Sequence, residues 1–421
     1  MPSKLQFLFK RMGEKLWLRP LEFCLLAVLA TVAAAYADNL GSLGLVPKVE
    51  HETVEKLLSV IAASMLGVAT FAVASMVSAY ASVGSSATPR AFSLVVSDDV
   101  SKTALSTFIA AFIFSVIALI AIKSGFYGRT GLFLLLIMTI AVLGWVVFSF
   151  VRWVDQIARL GRLGTTIDRV EKAAEAAIAR RRCSPNLGAL PVDATVDPGE
   201  PIFADTIGYV QQINVGALQA CAEEHKAVLT VAALPGTFVA PGRAIGFLKG
   251  RDTGGTVREF DSSIVTKAFQ IGHDRNYDED PRFGLIALSE IASRALSPAV
   301  NDPGTAIDII GTFVRLFAFW VSPIQDDEKE SKVRYDRVRV PSLRLNEMFD
   351  DAFTATARDG ADVIEIVVRL QKAFISLSSL GHAALKDEAY RHSELALARA
   401  ELALKLPQDI ERARALAHKL R

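Results

Sequence analysis

The feature that most constrains this chain of 421 residues is a set of four strongly apolar stretches confined to residues 1–152. A membrane-spanning helix needs about 20 apolar residues to cross roughly 30 Å of hydrocarbon. The stretches at about residues 57–83, 103–122 and 131–151 reach this length without an acidic or basic residue. The first, at about 21–37, has a shorter apolar core between Glu22 and Asp38, so it spans only if its ends reach the headgroup layer. The sequence predicts a transmembrane domain at residues 1–152, followed by a large water-soluble region.

The distribution of Lys and Arg predicts the orientation, because basic residues near the ends of spans are retained on the cytoplasmic side. Basic residues precede the first stretch and follow the fourth: Lys4, Lys10, Arg11, Lys15, Arg19, Arg152, Arg159, Arg162, Arg169, Lys172, Arg180, Arg181 and Arg182. Both termini are therefore predicted to be cytoplasmic. In an alternative interpretation Ala35-Tyr36-Ala37 ends a cleaved signal peptide. That leaves three spans and the same cytoplasmic tail.

The composition argues against several classes of function. The 46 basic and 45 acidic residues give a net charge of +1, whereas nucleic-acid-binding proteins carry a concentrated basic face. The three cysteines are scattered along the chain and form neither a disulfide framework nor a zinc pattern. The six histidines are scattered too. We therefore expect no nucleic-acid partner, no metal centre and no cofactor.

Residues 153–183 are predicted to form a juxtamembrane helix that continues the fourth span. Apolar residues recur along it at spacings of three and four, the pattern of a heptad seam. They are Leu160, Leu163, Ile167, Val170, Ala174 and Ala177. Two interpretations remain open. The helix packs on its own soluble domain, or it forms a stalk through which several subunits meet.

Residues 184–260 are predicted to form a small β-rich module that follows a linker rich in Pro, Gly and Asp. Alternating β-branched residues indicate strands at residues 208–215, 227–232, 238–239 and 243–248, with a Pro-Gly turn at 234–237. The motifs GYVQQINV and LPGTFVAPGRAIGFL are similar to the two half-motifs of barrel-sandwich domains such as lipoyl carriers. The carrier lysine at a hairpin tip is missing, so this similarity implies no covalent cofactor.

Residues 261–421 are predicted to form an all-helical cytoplasmic domain, because their apolar residues recur with the helical period. The predicted helices lie near residues 264–269, 283–296, 303–321, 342–357, 361–380, 386–406 and 408–420. The expected fold class is therefore a membrane α-helical region of four spans joined to a cytoplasmic α+β region.

The segment from Gly272 to Ile310 is denser in polar detail than any other. Its distinctive pieces are Arg275 with Asp280, Phe283-Gly284-Leu285, Ile291 to Pro298, Asn301-Asp302-Pro303 and Thr305-Ala306, to which SSATPR at residues 85–90 is added. Together they resemble the bacterial predicted membrane-protein family known as domain of unknown function 2254. The chain departs from the family pattern at Asn276, where threonine is usual, and at Glu279, where glutamine is usual. The resemblance implies this architecture in a bacterial inner membrane, and it implies no mechanism.

The same segment supplies the candidate ligand-binding residues, which are Arg275, Asp280, Arg282, Arg294, Asn301 and Asp302. Asp302 and Pro303 predict a helix start, because Asp caps exposed amides and Pro has no N–H to leave unpaired in the first turn. In one interpretation, the arginines and carboxylates form a buried network of ion pairs and caps. In the other, a helix N-terminus and two arginines bind a small anionic ligand.

The second span differs from the others because small residues dominate it between Leu57 and Val83. Small side chains let membrane helices approach closely, and hydroxyl groups hydrogen-bond across such a contact or face water. The candidate pore-lining residues are Ser64, Gly67, Thr70, Ser75 and Ser78. Close packing inside one subunit and a pore lining around an oligomer axis both remain open. The third and fourth spans, rich in larger apolar residues, are expected to face lipid.

No catalytic motif is recognised, since the sequence has no Walker loop, nucleophile elbow or HExxH, and we do not expect an enzyme. Two functions remain. The first is a homo-oligomeric channel with a cytoplasmic sensing domain, expected to be passive because the spans lack carboxylates. The second is a membrane-anchored sensor or scaffold that binds another protein or a small anion. The channel is favoured, because an anchor does not need four spans with a small-residue inner helix. The expected partners are the lipid bilayer, other copies of the chain and a small anionic ligand.

Overall fold

A computed structural model of the chain describes residues 18–36, 47, 49–86, 88–96, 99–160, 162–193, 195, 197, 199–250, 261–324 and 333–420. The chain divides into two compact units, Met1–Thr166 and Ile167–Arg421. The basic residues from Lys4 to Lys15, which contribute to the predicted orientation, lie outside the described residues.

The first unit is a bundle of long apolar helices. Its described helices are α1 (Leu18–Tyr36), α2 (His51–Ser86), α3 (Pro89–Val96), α4 (Asp99–Lys123) and α5 (Arg129–Leu160). Helix α4 lies at the centre and packs against α1, α2 and α5. Its buried Ala104, Ala111 and Ala118 let the neighbouring helices approach. The expectation that the third span faces lipid is therefore wrong for a single subunit, because α4 is the most enclosed helix of the bundle.

The β-rich part of the second unit contains two sheets that share one apolar core. The strands are β1 (Ala189–Pro191), β2 (Glu200–Phe203), β3 (Gly208–Ile213), β4 (Ala227–Val231), β5 (Phe238–Val239), β6 (Ala244–Gly250), β7 (Phe269–Gly272) and β8 (Tyr335–Val340). One sheet has the order β1-β8-β4-β6-β2, in which β8 runs parallel to β1 and β4 and the other pairs are antiparallel. The other is antiparallel, with the order β5-β3-β7.

Two of these strands lie in the region that was predicted to be all-helical. The helix predicted at residues 264–269 is observed at Ser262–Thr266, and strand β7 begins at Phe269. Strand β8 buries Val338 and Val340 between β1 and β4, and Arg337 and Arg339 alternate with them on the other face. The region after residue 260 is therefore mixed, because its chain returns to complete the larger sheet.

The helices of the second unit surround an aromatic core. They are α6 (Leu163–Cys183), α7 (Val215–Glu224), α8 (Ser262–Thr266), α9 (Pro281–Ala295), α10 (Pro303–Val321), α11 (Leu345–Asp359), α12 (Ile364–Ser378), α13 (Ala383–Ala403) and α14 (Pro407–Ala417), with a final 3-10 turn at His418–Leu420. Phe317 lies 4.4 Å from Phe349 between ring centroids, and Phe353 lies 5.0 Å from Phe374. All four rings are buried, so this cluster joins α10, α11 and α12.

The juxtamembrane segment is two helices rather than the predicted one, because α5 ends at Leu160 and α6 begins at Leu163. The heptad seam of α6 is buried inside the second unit at Ile167, Val170 and Ala174. A Cβ added to Gly284 of α9 would lie 2.4 Å from the Ala174 Cβ. The close approach of α6 and α9 therefore requires glycine at position 284, and α6 packs on its own unit rather than presenting its seam to other subunits.

Among the described residues, four helices are long and apolar enough to cross a membrane: α2, α4, α5 and α10. Three of them coincide with predicted spans. Helix α1 is apolar over the shorter run Cys24–Ala34. It packs against α4 and α5, and the Tyr127 hydroxyl donates a hydrogen bond of 3.1 Å to the Thr31 carbonyl. Helix α10 qualifies by length and composition, although its Phe313 and Phe317 lie in the core of the second unit.

Candidate functional site

The first group of predicted site residues lies at the N-terminus of α9. Asp280 caps this helix, because its Oδ1 accepts a hydrogen bond of 3.2 Å from the Arg282 N–H. Its Oδ2 lies 2.6 Å from Arg275 Nε, and only 2% of its side chain is exposed. Pro281 occupies the first helical position. The same Asp-Pro pair occurs at Asp302-Pro303, and this repeated signal could have revealed the Asp280 cap from the sequence.

The turn at Leu234–Thr237 closes over this ion pair. Gly236 has φ +89°, a left-handed conformation that favours glycine. A Cβ added there would lie 2.3 Å from Asp280 Oδ2 and 2.8 Å from Arg275 Nη2. The backbone of the turn therefore excludes water from the Arg275–Asp280 pair, and glycine is required for steric as well as conformational reasons.

Arg282 of α9 binds two carboxylates of α11 and so joins the two helices. Its Nε lies 2.5 Å from Asp351 Oδ2, its Nη2 lies 3.2 Å from Asp351 Oδ1, and its Nη1 binds Glu347. Burial opposes the charge of Arg282, but its hydrogen bonds to Asp351 and the charges of Asp351, Glu347 and Asp280 outweigh burial and raise its pKa. The pairing fixes the orientation of α9 against α11, since breaking it would leave partly buried charges without partners.

Three consecutive arginines at the end of α6 bind different parts of the second unit. Arg180 donates to the Asp278 carbonyl. Arg182 Nη2 donates to Ser322 Oγ at 2.9 Å, and its guanidinium lies 4.4 Å from the centre of the Phe319 ring. These contacts hold the C-terminal turn of α6 in place.

Arg181, the middle of the three arginines, is the most buried, with 3% of its surface exposed. Burial lowers its pKa, and the charges of Glu279 and Asp280 oppose this shift. Its two terminal nitrogens have no hydrogen-bond partner among the described residues, and neither has the buried Oδ1 of Asn276. Nothing in the sequence distinguishes Arg181 from Arg180, which is exposed, so this buried cation could not be identified from the sequence.

The charges around the start of α9 cancel. Four cations, Arg181, Arg275, Arg282 and Arg344, face four carboxylates, those of Glu279, Asp280, Glu347 and Asp351, so no surplus charge remains. Such a balance favours the network of ion pairs and caps over an anion site, for which a surplus of positive charge is needed. The described part of the chain holds no group of three or more His, Cys, Asp or Glu side chains placed to bind a metal ion.

The other predicted residues, Arg294, Asn301 and Asp302, lie at the opposite end of α9, which is about 20 Å long. Asp302 caps α10, as predicted, through hydrogen bonds of 3.1 Å from the Thr305 N–H and 2.6 Å from its hydroxyl. The hydroxyl and then the amide of Thr305 lower the pKa of Asp302. Asn301 is exposed and has φ 50°. The six candidates therefore form two separate groups rather than one site.

The candidate pore-lining residues lie on the outer surface of α2 in a single subunit. Ser64, Gly67, Thr70 and Ser78 are exposed, and Ser75 is half-buried. The Ser64 and Thr70 hydroxyls donate hydrogen bonds of 2.7 Å and 2.8 Å to carbonyls of their own helix. No described atom lies within 4 Å of a Cβ added to Gly67. Ser64, Gly67, Thr70 and Ser78 therefore do not serve packing within the subunit.

Helix α2 packs through its opposite face instead. Ile61, Met65, Ala69 and Ala72 are buried against α4 and α5. Beside its C-terminal half runs an open groove of about 490 Å³. The groove is lined by Ala74, Ser75, Ser78, Ala79, Ser82 and Ile157. The face of α2 that carries the small and hydroxylated residues is thus exposed and available to a further molecule.

Comparison with known proteins agrees with this architecture. The family described as "Predicted membrane protein (DUF2254)" matches residues 13–376. An uncharacterized protein of Mycobacterium bovis and one of Mycobacterium tuberculosis are each 33% identical over 112 residues, which is 26% of this chain and 21% of each mycobacterial protein. The chain thus matches about a fifth of the length of these relatives, and no solved structure matches it significantly. Since the family match covers most of the chain, the protein belongs to the DUF2254 family of predicted membrane proteins.

Proposed function

We propose that the protein is a homo-oligomeric, channel-type membrane protein in which α2 contacts its counterparts in neighbouring subunits and lines a path between them. The observation that carries the proposal is the contrast between exposed helix faces. Helices α1 and α5 expose Leu25, Leu26, Ile140 and Phe148, which are side chains suited to lipid. Helix α2 exposes large side chains too, such as Leu66, Phe71 and Val77. In addition it exposes a row of small residues at spacings of three and four: Ala63, Gly67, Thr70, Ala74, Ser78 and Ala81.

A row of this kind suits contact between helices. Without bulky side chains, two backbones approach closely and gain van der Waals contacts that lipid does not replace. Ser64 and Thr70 already bond to their own helix, so they do not prevent a second helix from docking. Where the row faces an axis between subunits, its hydroxyls and backbone carbonyls also tolerate water. The subunit interior is filled by α4, so a path between subunits fits the geometry better than a path through one subunit.

The proposed location is the inner membrane of a bacterium, with both termini in the cytoplasm. The support for this orientation is that Arg152 and Arg159 follow the apolar part of α5, because basic residues near the ends of spans are retained on the cytoplasmic side. The packing of α1 against α4 and α5 supports its retention as a span rather than its cleavage. The proposal assigns no catalytic role, no cofactor and no nucleic-acid partner.

Cysteine cross-linking tests the interface. In a background with Cys24, Cys183 and Cys221 replaced by Ser, Gly67→Cys is expected to form disulfide-linked dimers in membranes. Gly144→Cys on α5 is the matched control, because Gly144 is also exposed with no described atom within 4 Å of an added Cβ. Equal cross-linking at both positions, or none at Gly67, would contradict the interface.

Flux measurements test the path. Gly67→Leu is expected to leave the subunit folded, since the added side chain meets open space, while reducing ion or solute flux through proteoliposomes. Gly144→Leu should leave flux unchanged. Ala111 would be an unsuitable control, because it is buried against α2 and a larger residue would overpack the bundle. Wild-type protein that passes neither ions nor small solutes would refute the channel.

A second candidate function, a membrane-anchored sensor of a small anion, is favoured by one observation. The two terminal nitrogens of Arg181, which feel the charges of Glu279 and Asp280, are buried without a hydrogen-bond partner among the described residues. In this proposal the sensing part consists of the helices of the second unit and its β-rich module, for which a barrel-sandwich relationship is part of the proposal. A nucleotide, phosphate or carboxylate that raises the melting temperature of wild-type protein but not of Arg181→Gln would support it. No shift with any of these anions would leave Arg181 as part of the structural network.

A further inference from the structure

A cavity of about 150 Å³ lies between α4 and α5 in the first unit. Seven residues line it: Val100, Thr103, Ala104, Trp145, Phe148, Ser149 and Arg152. The residues from α5 recur at spacings of three and four, so they lie on one face of that helix. The cavity holds roughly five times the volume of a water molecule. It is therefore large enough for a phosphate group and the carbon atoms next to it.

The charge of the cavity comes from Arg152. This residue is exposed and is the first charged residue of α5 after Arg129. Among the described residues, no carboxylate forms an ion pair with Arg152. Arg159, two turns further along, is paired with Asp155 at 3.1 Å. The cavity thus combines apolar walls with a cation whose charge no described side chain balances.

The walls of the cavity continue into an apolar surface. The rings of Trp145 and Phe148 lie 5.8 Å apart between centroids and are about half exposed. Val151, which follows Phe148 by three residues on the same helix, is exposed too. Aromatic residues are enriched where a span meets the headgroup layer, and Arg binds phosphate through two parallel hydrogen bonds. A ligand with a phosphate and an acyl chain therefore matches both Arg152 and the apolar wall formed by Trp145 and Phe148.

We propose that this cavity binds an anionic phospholipid. Its phosphate contacts Arg152, and an acyl chain runs along Trp145 and Phe148. A lipid is favoured over a dissolved anion, because the cavity opens among apolar side chains that a bilayer covers. The binding site is independent of the α2 interface, since it involves the faces of α4 and α5.

Lipid retention by the purified full-length protein tests the proposal. The protein is delipidated in detergent, offered equal amounts of phosphatidylglycerol and phosphatidylcholine, and examined by native mass spectrometry. Wild type should retain phosphatidylglycerol in preference to phosphatidylcholine. Arg152→Gln should reduce this preference about tenfold, the effect of losing a charged hydrogen bond, while Arg159→Gln, the matched control on the same helix, should not. Equal retention of both lipids by wild type, or equal behaviour of the two variants, would overturn the proposal.

Two further measurements separate a lipid from a free anion and from a folding defect. Trp145→Ala should weaken retention of phosphatidylglycerol without changing the sign of the preference, because the acyl contact is reduced and Arg152 remains. Glycerol 3-phosphate at millimolar concentration should not displace the lipid. Displacement would show a site for a soluble anion and overturn the proposal. If Arg152→Gln does not fold, the preference of the wild type decides the outcome.

Discussion

Two long apolar helices, α2 and α10, differ in the types of residue at their buried and exposed positions. On α10 the large side chains of Phe313 and Phe317 are fully buried, and the exposed positions are Gly304, Asp308 and Arg315. On α2 the exposed positions between Leu57 and Val83 are uncharged. The pair shows that apolar length does not by itself identify a span. Charged residues on an outer face suit water, whereas an uncharged outer face suits lipid or another apolar helix.

The largest expected effect concerns the aromatic residues of these helices. Phe313→Ala should destabilise the second unit by about 3–5 kcal/mol, because it leaves a cavity in a core that cannot close around it. Phe71→Ala on α2 should cost less than about 1.5 kcal/mol, since Phe71 is 63% exposed. Thermal unfolding of the detergent-solubilised full-length protein measures both. Equal losses would mean that α2 and α10 are buried to the same degree.

The pH dependence of stability would sharpen the comparison, because His392 packs against Phe349 in the core that receives α10. Burial, and then the charge of Arg391, lowers the pKa of His392 to about 4. The unfolded chain binds the proton at about pH 6.5 and the folded chain only at about pH 4. Stability should therefore fall between pH 6.5 and 4, by at most about 3 kcal/mol.

The variant His392→Gln should flatten this part of the pH profile, because it removes the group that titrates. His382→Gln is the control, since His382 is exposed at the start of α13. An unchanged slope in His392→Gln would show that the core around α10 admits water.

The cap of α10 should have a smaller effect. Asp302→Ala should cost about 0.5–2 kcal/mol, because two bonds to Thr305 are lost. The pKa of Asp302 is lowered in the folded protein, so its contribution should be complete above its unfolded pKa of about 4. It should disappear as the pH falls below that value. Asp308→Ala, an exposed change on the same helix, should alter the melting temperature little. Equal effects at Asp302 and Asp308 would refute the cap.

The smallest expected effect lies on the outer face of α10. Arg315 binds Glu171 through two bonds of 2.6 and 2.7 Å and is 61% exposed, so the pair should contribute about 1 kcal/mol or less in water. A double-mutant cycle of Arg315→Gln and Glu171→Gln measures this coupling, which should weaken as salt is added. A gain in stability on removing both charges would instead place this face of α10 in an apolar environment.

Local signals predicted much of the fold. The bounds of α10 follow from the Asp302-Pro303 start and a continuous helical period, and Leu296-Ser297-Pro298 marks the end of α9. Strand β8 was not predicted from the sequence. It has only two buried apolar residues, Val338 and Val340, among charged ones, and its partners β1 and β4 lie more than 100 residues earlier. Sheet pairing over such distances leaves little trace in one sequence.

The candidate sites depend still more on distant contacts. Residue type identified Arg282 and Asp280 as interacting charges, but the partners of Arg282, Glu347 and Asp351, are 65 and 69 residues away. Composition identified the small residues of α2. Whether these residues are buried or exposed depends on which face of α2 packs against α4. The periodicity of α2 alone does not determine that face.

The docking of α6 has a practical consequence for obtaining the second unit by itself. The composition changes at about Ser184, which suggests starting a fragment there. A fragment cut at that point would lack Arg181, which faces Glu279 and Asp280, and it would expose the surface of Gly284 that fits Ala174. A fragment starting at Leu163 keeps all of these contacts. The residue at which the sequence changes character and the residue at which the chain can be cut thus differ by the 21 residues of α6.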